Sequence, residues 1–485
     1  MTRKFIIILL PTLIFCFGNC SGDFLDREPS GYLSGEEAKK NLDSSLPPFV
    51  DGLYLSTFLG GTGGHNDFGQ KSNDICLDLM SGDMLLNGDT YGWFYDVYDM
   101  IEQHITATRS YMLWRYYYRI INAANTVFDL FTSDEVIPSS DKPAQRAYFG
   151  QTKVMRAYCY FYLVNLFQHR YQDKLNNPGV PVYRSQETLE VHGQSTVKEV
   201  YEFIVKDLTD AIEALDGYER PSKGKADINV AYSYLAYAYL SMGEYAKAAE
   251  AADHVINKFP VMTAKEVIES GFNSLEDIKS WIWGADININ NTGALLTFWG
   301  HMDYFTYSYA FAGDAMVIDA DFYATIPTTD VRKGQFDSGN YMPIWKFYDA
   351  ARVPGGDRQW TNDLVYLRVE EMILIKAEAL ARANQDAAAK DALKLLLDNR
   401  DTAAASALAT MTHEELMEAI YYNWRIEMWG EGKLFFALKR FGKTAVRGSN
   451  HISKKGQSFP YNDQRMIFAI PEREVINNPY LQPQN

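Results

Sequence analysis

The 485-residue chain is predicted to be mostly α: a scaffold of tetratricopeptide-like helical pairs interrupted by long irregular excursions with short strands. Three stretches predict it. Residues 231–260 (AYSYLAYAYLSMGEYAKAAEAADHVINKFP) read as two alanine-rich helices joined at Met242, Gly243 and Glu244. Tyr232, Leu235, Ala236 and Tyr239 share a face at helical spacing, Ala248, Ala252 and Val255 do so on the second helix, and Pro260 ends the unit. Small residues at this spacing let two antiparallel helices approach closely, as tetratricopeptide units do. A looser copy follows the same spacing in Ile373, Ala377 and Leu380, then Ala389, Leu393 and Leu396. A third helical block covers 111–131 and 143–167, with Ala157 and Tyr160 at the corresponding small and aromatic places.

In chain order, residues 1–19 read as a signal peptide. Arg3 and Lys4 precede an apolar run over 5–17 that is too short to span a bilayer and fits a signal core. Gly18, Asn19 and Cys20 then resemble a bacterial lipobox, whose cysteine is acylated and becomes the new N-terminus; Phe17 and Asn19 depart from its usual residues. Cys20 is the expected lipid anchor, with Cys16 the weaker candidate. The mature domain, 20–485, is expected to hold its helical scaffold over about 36–59, 111–262 and 363–445. Between these lie irregular stretches at about 60–110 and 263–362, rich in glycine, aromatic and turn residues. Trp281, Ile282 and Trp283 form a short strand pattern. Thr412 with Glu415 three residues on is a helix-start signature for 412–440. Long loops on a rigid scaffold commonly carry function.

Composition narrows the partners. Lys and Arg total 46 against 62 Asp and Glu, a net charge of −16, or −18 once residues 1–19 and their two basic groups are removed. That balance disfavours nucleic acid and anionic membrane surfaces, which need a basic footprint. Four cysteines are too few for a disulfide framework, and Cys159, among apolar and aromatic neighbours, is expected to be a buried thiol.

The order of motifs carries a family resemblance. Residues 20–29 (CSGDFLDREP) are similar to the start of mature SusD/RagB lipoproteins, and 114–125 (WRYYYRIINAAN) to that family's first helix. Residues 364–382 (LVYLRVEEMILIKAEALAR) resemble its Arg-x-x-Glu-x-x-Leu-x-x-Ala-Glu-Ala segment, and 470–485 (IPEREVINNPYLQPQN) its ending. Residues 427–432 keep the family's Glu and Glu-Gly, whereas Asn423 and Trp424 replace its preceding Glu-Arg and 437–440 (ALKR) its later Asp-Leu-x-Arg. The resemblance implies a lipid-anchored protein of the outer membrane, exposed at the cell surface. It would bind oligosaccharides without catalysis or cofactor and pass them to a SusC-like TonB-dependent transporter. A peptide-binding relative on the same scaffold, a surface glycosidase and a pure interaction scaffold are the alternatives.

A sugar ring needs a flat aromatic platform with polar partners at its rim. Two clusters offer this: 91–98 (YGWFYDVY) and 298–307 (FWGHMDYFTY), followed by Tyr309 and Phe311. Trp93, Tyr95, Asp96, Trp299, Asp303 and Tyr304 are the candidate ligand-binding residues, with Asn291 a further rim candidate. The two clusters are expected to meet on one exposed face. Tyr307, Tyr309 and Phe311 alternate like a half-buried strand and, with Trp281 and Trp283, are expected in the core. Trp114, Trp424 and Trp429 read as helix packing, and Trp345 and Trp360 are weaker site candidates.

Catalytic and metal motifs are weak. His413 lacks the second histidine of a zinc-protease helix, and there is no Gly-x-Ser-x-Gly elbow or Gly-Lys-Ser/Thr phosphate loop. The glycines of 60–64 (GGTGG) lack the lysine of a phosphate cradle and read as a flexible loop. Asp314, Asp319 and Asp321 match no calcium-loop spacing. No metal or catalytic residue is assigned.

Overall fold

The computed structural model describes residues 35–131, 133–185, 191–293, 295–355 and 360–481. The expected signal peptide, Cys20, the 20–29 motif and the last four residues of the 470–485 motif lie outside the described residues. By packing, the chain divides into units 1–45 and 46–485. Of the first, the helix Gly35–Lys40 and the start of Leu42–Leu55 are described.

The larger unit is a stack of helices. Thr108–Leu130 packs on Pro143–Phe167, which packs on Val197–Ala214; Ile228–Met242 and Tyr245–Ile256 follow. The stack then continues with Val369–Arg382 against Tyr245–Ile256, and with Asp386–Leu397 and His413–Glu427 against Val369–Arg382. The polypeptide therefore leaves the array after Ile256 and rejoins it next door.

Each predicted pair forms for a visible reason. Gly243 takes the left-handed conformation, φ 83°, that ends Ile228–Met242 and turns the chain back. Ala248, Ala252 and Val255 are fully buried, as are Ile373, Ala377, Ala389, Leu393 and Leu396. In Ile228–Met242, Tyr234 and Tyr237 are more deeply buried than the predicted Tyr232 and Tyr239, because neighbours enclose this helix almost all round. Thr412 and Glu415 form the expected capping box, with Glu415 accepting from Thr412 N at 2.8 Å.

Among the described residues there are three two-stranded antiparallel ladders, two of which pin the excursions. β1 (Met84–Leu86) pairs with β3 (Met316–Ile318), joining two stretches distant in sequence. β2 (Trp281–Ala285), the predicted strand, pairs with β4 (Leu364–Arg368) through an irregular register. β5 (Thr444–Val446) pairs with β6 (Ser458–Pro460). Trp281 and Trp283 are buried as expected.

Two stretches differ from the sequence reading. Residues 60–90 contain the helix Gln70–Ser81, all twelve residues of which are buried although seven are polar. Its polar side chains find partners inside. Gln70 donates to Asp74 at 2.7 Å and accepts from Tyr117 at 3.0 Å, and Asp78 accepts from Gly432 N at 3.0 Å. Residues 307–311 form a bend and a turn, not a strand: Tyr309 is buried, whereas Tyr307 and Phe311 are exposed.

A buried ion network fastens the excursion to the stack. Glu427 accepts from Arg368 at 2.6 Å, Arg400 at 2.9 Å and Arg332 at 3.0 Å. Glu431 accepts from Arg368 at 2.8 Å and Lys346 at 2.9 Å. Burial alone would raise the Glu427 carboxyl, but Arg400, Arg368 and Arg332 together hold it well below the usual carboxylate range. Two positions that depart from the resembled motif still serve such networks. Asn423 accepts from Arg332, and Trp424 donates at 3.0 Å to Glu378, which also pairs with the retained Arg440 at 2.9 Å. Trp114, Trp424 and Trp429 are buried packing residues, as predicted.

Candidate ligand-binding site

The two aromatic clusters meet, and a third segment joins them. Thr90 N and Tyr91 N each donate to the Asp314 carboxylate at 2.8 Å, tying the first loop to the end of the second. Phe94 adopts φ 67°, rare for a bulky side chain. This turn sends the Phe94 ring inward against Phe68 (6.0 Å) and His301 (5.0 Å), while Trp93 beside it stays half-buried at the surface. Tyr91 packs edge-on against Tyr309 at 5.2 Å.

The joining residue is His65. Its ring stacks on Trp93, centroids 4.8 Å apart and planes 10° apart, and its Nδ1 is hydrogen-bonded to the Tyr309 hydroxyl. Its carbonyl accepts from His301 Nε2 at 2.9 Å. His301 is sandwiched between Phe68 and Tyr309, and burial pushes its pKa down to about 4, so the ring is neutral at ordinary pH.

The glycine-rich loop before His65 is folded about one carboxylate. Asp67 Oδ2 accepts from Gly61 N at 2.9 Å, Thr62 N at 2.7 Å and Thr62 Oγ1 at 2.8 Å. Read from the sequence as a flexible loop, the glycine-rich segment takes this fold from Asp67, three residues past the glycines. Gly60 is required by close approach, since a Cβ there would meet the Asp67 carbonyl oxygen at 2.0 Å.

Two hollows lie on either side of this loop and share Gly64 in their walls. One, about 350 Å³, is bordered by Trp93, Asp96, Thr62, Asn66, Glu102 and Arg109. Arg109 is held in place by bonds to Ser72 Oγ at 3.1 Å and Asn66 O at 3.0 Å. The other, about 370 Å³, is apolar, walled by Phe58, Phe68, Leu296, Phe298, Trp299 and Trp360.

The predicted residues divide accordingly. Trp93 and exposed Asp96 border the first hollow. Tyr95 is half-buried and packs against Tyr98 at 6.2 Å, outside both hollows. Two expectations of exposure are corrected. Trp299 is 1% exposed and spends its indole N–H on Asn362 O at 3.0 Å, so it is cleft wall rather than open platform. Asp303 is fully buried: its carboxylate accepts from Trp360 Nε1 at 3.0 Å and from Phe305 N and Thr306 N, which removes it from any polar rim. Trp360 is buried with it. Tyr304 is half-buried and belongs to a separate aromatic patch with Phe305 and Phe311, both 6.2 Å away. Asn291 borders the apolar cleft, and its amide is engaged with Asn288 N and Asp286 O. Trp345 is exposed and carries Arg352 over its ring at 4.1 Å. His65, Asp67 and Arg109 had not been singled out from the sequence.

Two family models match the chain: one described as starch-binding associating with outer membrane, over 61–240, and the SusD family model, over 294–485. The chain belongs to the SusD/RagB family. The SusD-like protein P2 of Formosa agariphila is 25% identical, with 99% of this chain and 98% of that protein covered. A crystal structure of a SusD-like carbohydrate binding protein from Bacteroides vulgatus superposes with a TM-score of 0.76 at 23% identity, covering 90% of this chain and 97% of that one. A SusD superfamily protein from Bacteroides thetaiotaomicron gives 0.73 at 22% identity, covering 91% and 99%. The fold is thus the mostly helical one of SusD-like proteins. No helix among the described residues is long and apolar enough to cross a membrane.

Proposed function

We propose that this protein is a surface glycan-binding lipoprotein, not an enzyme, which captures oligosaccharides and delivers them to a SusC-like TonB-dependent transporter. The observation that carries the reading is Trp93: an indole with one face backed by His65 and its other surroundings opening on a hollow bordered by Asp96, Asn66 and Arg109. A flat apolar platform with carboxylate, amide and guanidinium groups close by is what a sugar ring's C–H face and hydroxyl rim require. Family membership supports it, as does the carbohydrate binding ascribed to the Bacteroides vulgatus neighbour. In this reading Asp96 and Arg109 hold hydroxyls at the rim, and Tyr95 serves from behind through Tyr98.

Residues 1–19 would be removed as a signal peptide and Cys20 acylated, anchoring the protein in the outer membrane at the cell surface. The stretches at about 60–110 and 263–362 would form the ligand-facing part of the domain. Isothermal titration against a polysaccharide panel tests the binding reading: at least one glycan should bind, and Trp93→Ala should abolish or greatly weaken that binding. Intact affinity in Trp93→Ala would remove the site. Release of sugar from an oligosaccharide by the pure protein would replace binding with hydrolysis.

A further inference from the structure

The apolar cleft beside the Trp93 hollow is poorly made for a bare sugar. Each polar side chain in its wall is engaged by the protein. Asp67 holds the glycine loop, and the Asn291 amide bonds Asn288 N and Asp286 O. Thr292 donates to Trp360 O at 2.6 Å, and Thr297 accepts from Gly300 N at 3.2 Å. The two indole N–H groups point away to Asn362 O and Asp303. What remains toward the cleft is mostly ring and methyl surface, with some backbone of the glycine loop. A hydroxyl-rich ring buried there would lose most of its water partners without replacement, which is unfavourable. An apolar group would lose nothing of that kind. The volume suffices: a cavity of about 150 Å³ lined by Leu, Ile and Phe takes up benzene, and this cleft has about 370 Å³.

We infer that the cleft takes an apolar acyl or aryl ester group carried on the glycan, while the saccharide itself lies on Trp93. This rests on the glycan-binding reading and names the class of glycan: esterified rather than plain. The two hollows share Gly64, so a substituent one bond off a ring on Trp93 has a short path past the loop. An apolar peptide side chain fits less well. The loop's Gly61 and Thr62 N–H groups, which an extended peptide backbone would use, are turned inward to Asp67.

The test compares polysaccharide fractions before and after mild alkaline treatment, which removes esters and leaves glycosidic bonds intact, by titration with the whole protein. The best-binding fraction should weaken about tenfold or more on de-esterification. Leu296→Asp and Leu59→Asp, both at partly exposed positions of the cleft wall, should erase the difference between treated and untreated fractions. Methyl ferulate alone should quench the fluorescence of the wild type and not of Leu296→Asp. Equal affinity before and after treatment overturns the ester inference and leaves glycan binding standing. Failure of every fraction, with an apolar peptide bound instead, overturns both.

Discussion

The indole of Trp93 lies flat on the imidazole of His65, 4.8 Å between ring centres and 10° between planes, although the two residues come from different loops. His65 in turn is fastened to Tyr309, so three segments converge on one ring. A platform is useful to a ligand only if its orientation is fixed beforehand, since ordering it on binding would cost affinity.

His65→Ala should therefore weaken glycan binding about tenfold while shifting the melting temperature little, because His65 is only half-buried. Titration calorimetry paired with thermal melting separates the two effects. A large drop in melting temperature with affinity retained would show that His65 is structural.

Trp93→Ala and Trp299→Ala should behave oppositely. The first loses ligand and keeps stability. The second empties a fully enclosed position and should cost about 3–5 kcal/mol of folding free energy. Denaturant melts of the two variants decide it; equal stability would mean that Trp299 is not packed as described.

Glu427→Ala leaves Arg368, Arg400 and Arg332 without their shared carboxylate in a buried site. Removing one partner of such a network is expected to cost about 3–5 kcal/mol. Chemical denaturation should show the loss, and proteolysis should report a loosened attachment between the 330–346 region and the stack.

Acidification should loosen the site through His301. Its folded pKa is near 4, against an ordinary 6.5, so between these values the unfolded chain binds a proton that the folded one does not. Stability from this group is complete above pH 6.5 and is lost as pH falls towards 4, by on the order of 3 kcal/mol. His301→Gln should flatten the acid limb of the pH–stability curve; an unchanged limb would assign it to other groups, such as His169, which is also lowered to about 4.

The helical stack was legible because alanine and aromatic spacing is a local signal. Gly243, Pro260 and the Thr412–Glu415 pair marked ends that need no distant partner. The buried helix Gln70–Ser81 was not legible, because Gln70, Asn73 and Asp78 among its seven polar residues are satisfied by Tyr117 and Gly432, remote groups that no window of sequence contains. The site was half legible. The two aromatic clusters lie on loops that do meet, and Trp93 is half-buried beside a hollow. Trp299 looked equally loop-like beside Gly300, yet it is buried, with its indole N–H bonded to Asn362 O some sixty residues on. His65 gave no signal at all, being a single histidine after a run of glycines.

The helical array continues without a gap from Tyr245–Ile256 to Val369–Arg382, although residues 257–368 intervene. Everything between those neighbours behaves as an inserted cassette, entering and leaving at adjacent seats. Its outward-facing loops can change in length and chemistry as long as Arg332, Lys346 and Arg368, which bond Glu427 and Glu431 of the frame, are kept. A single frame of this kind can present many different recognition surfaces, and chimaeras that exchange those loops while keeping the three cations are a rational route to new specificities.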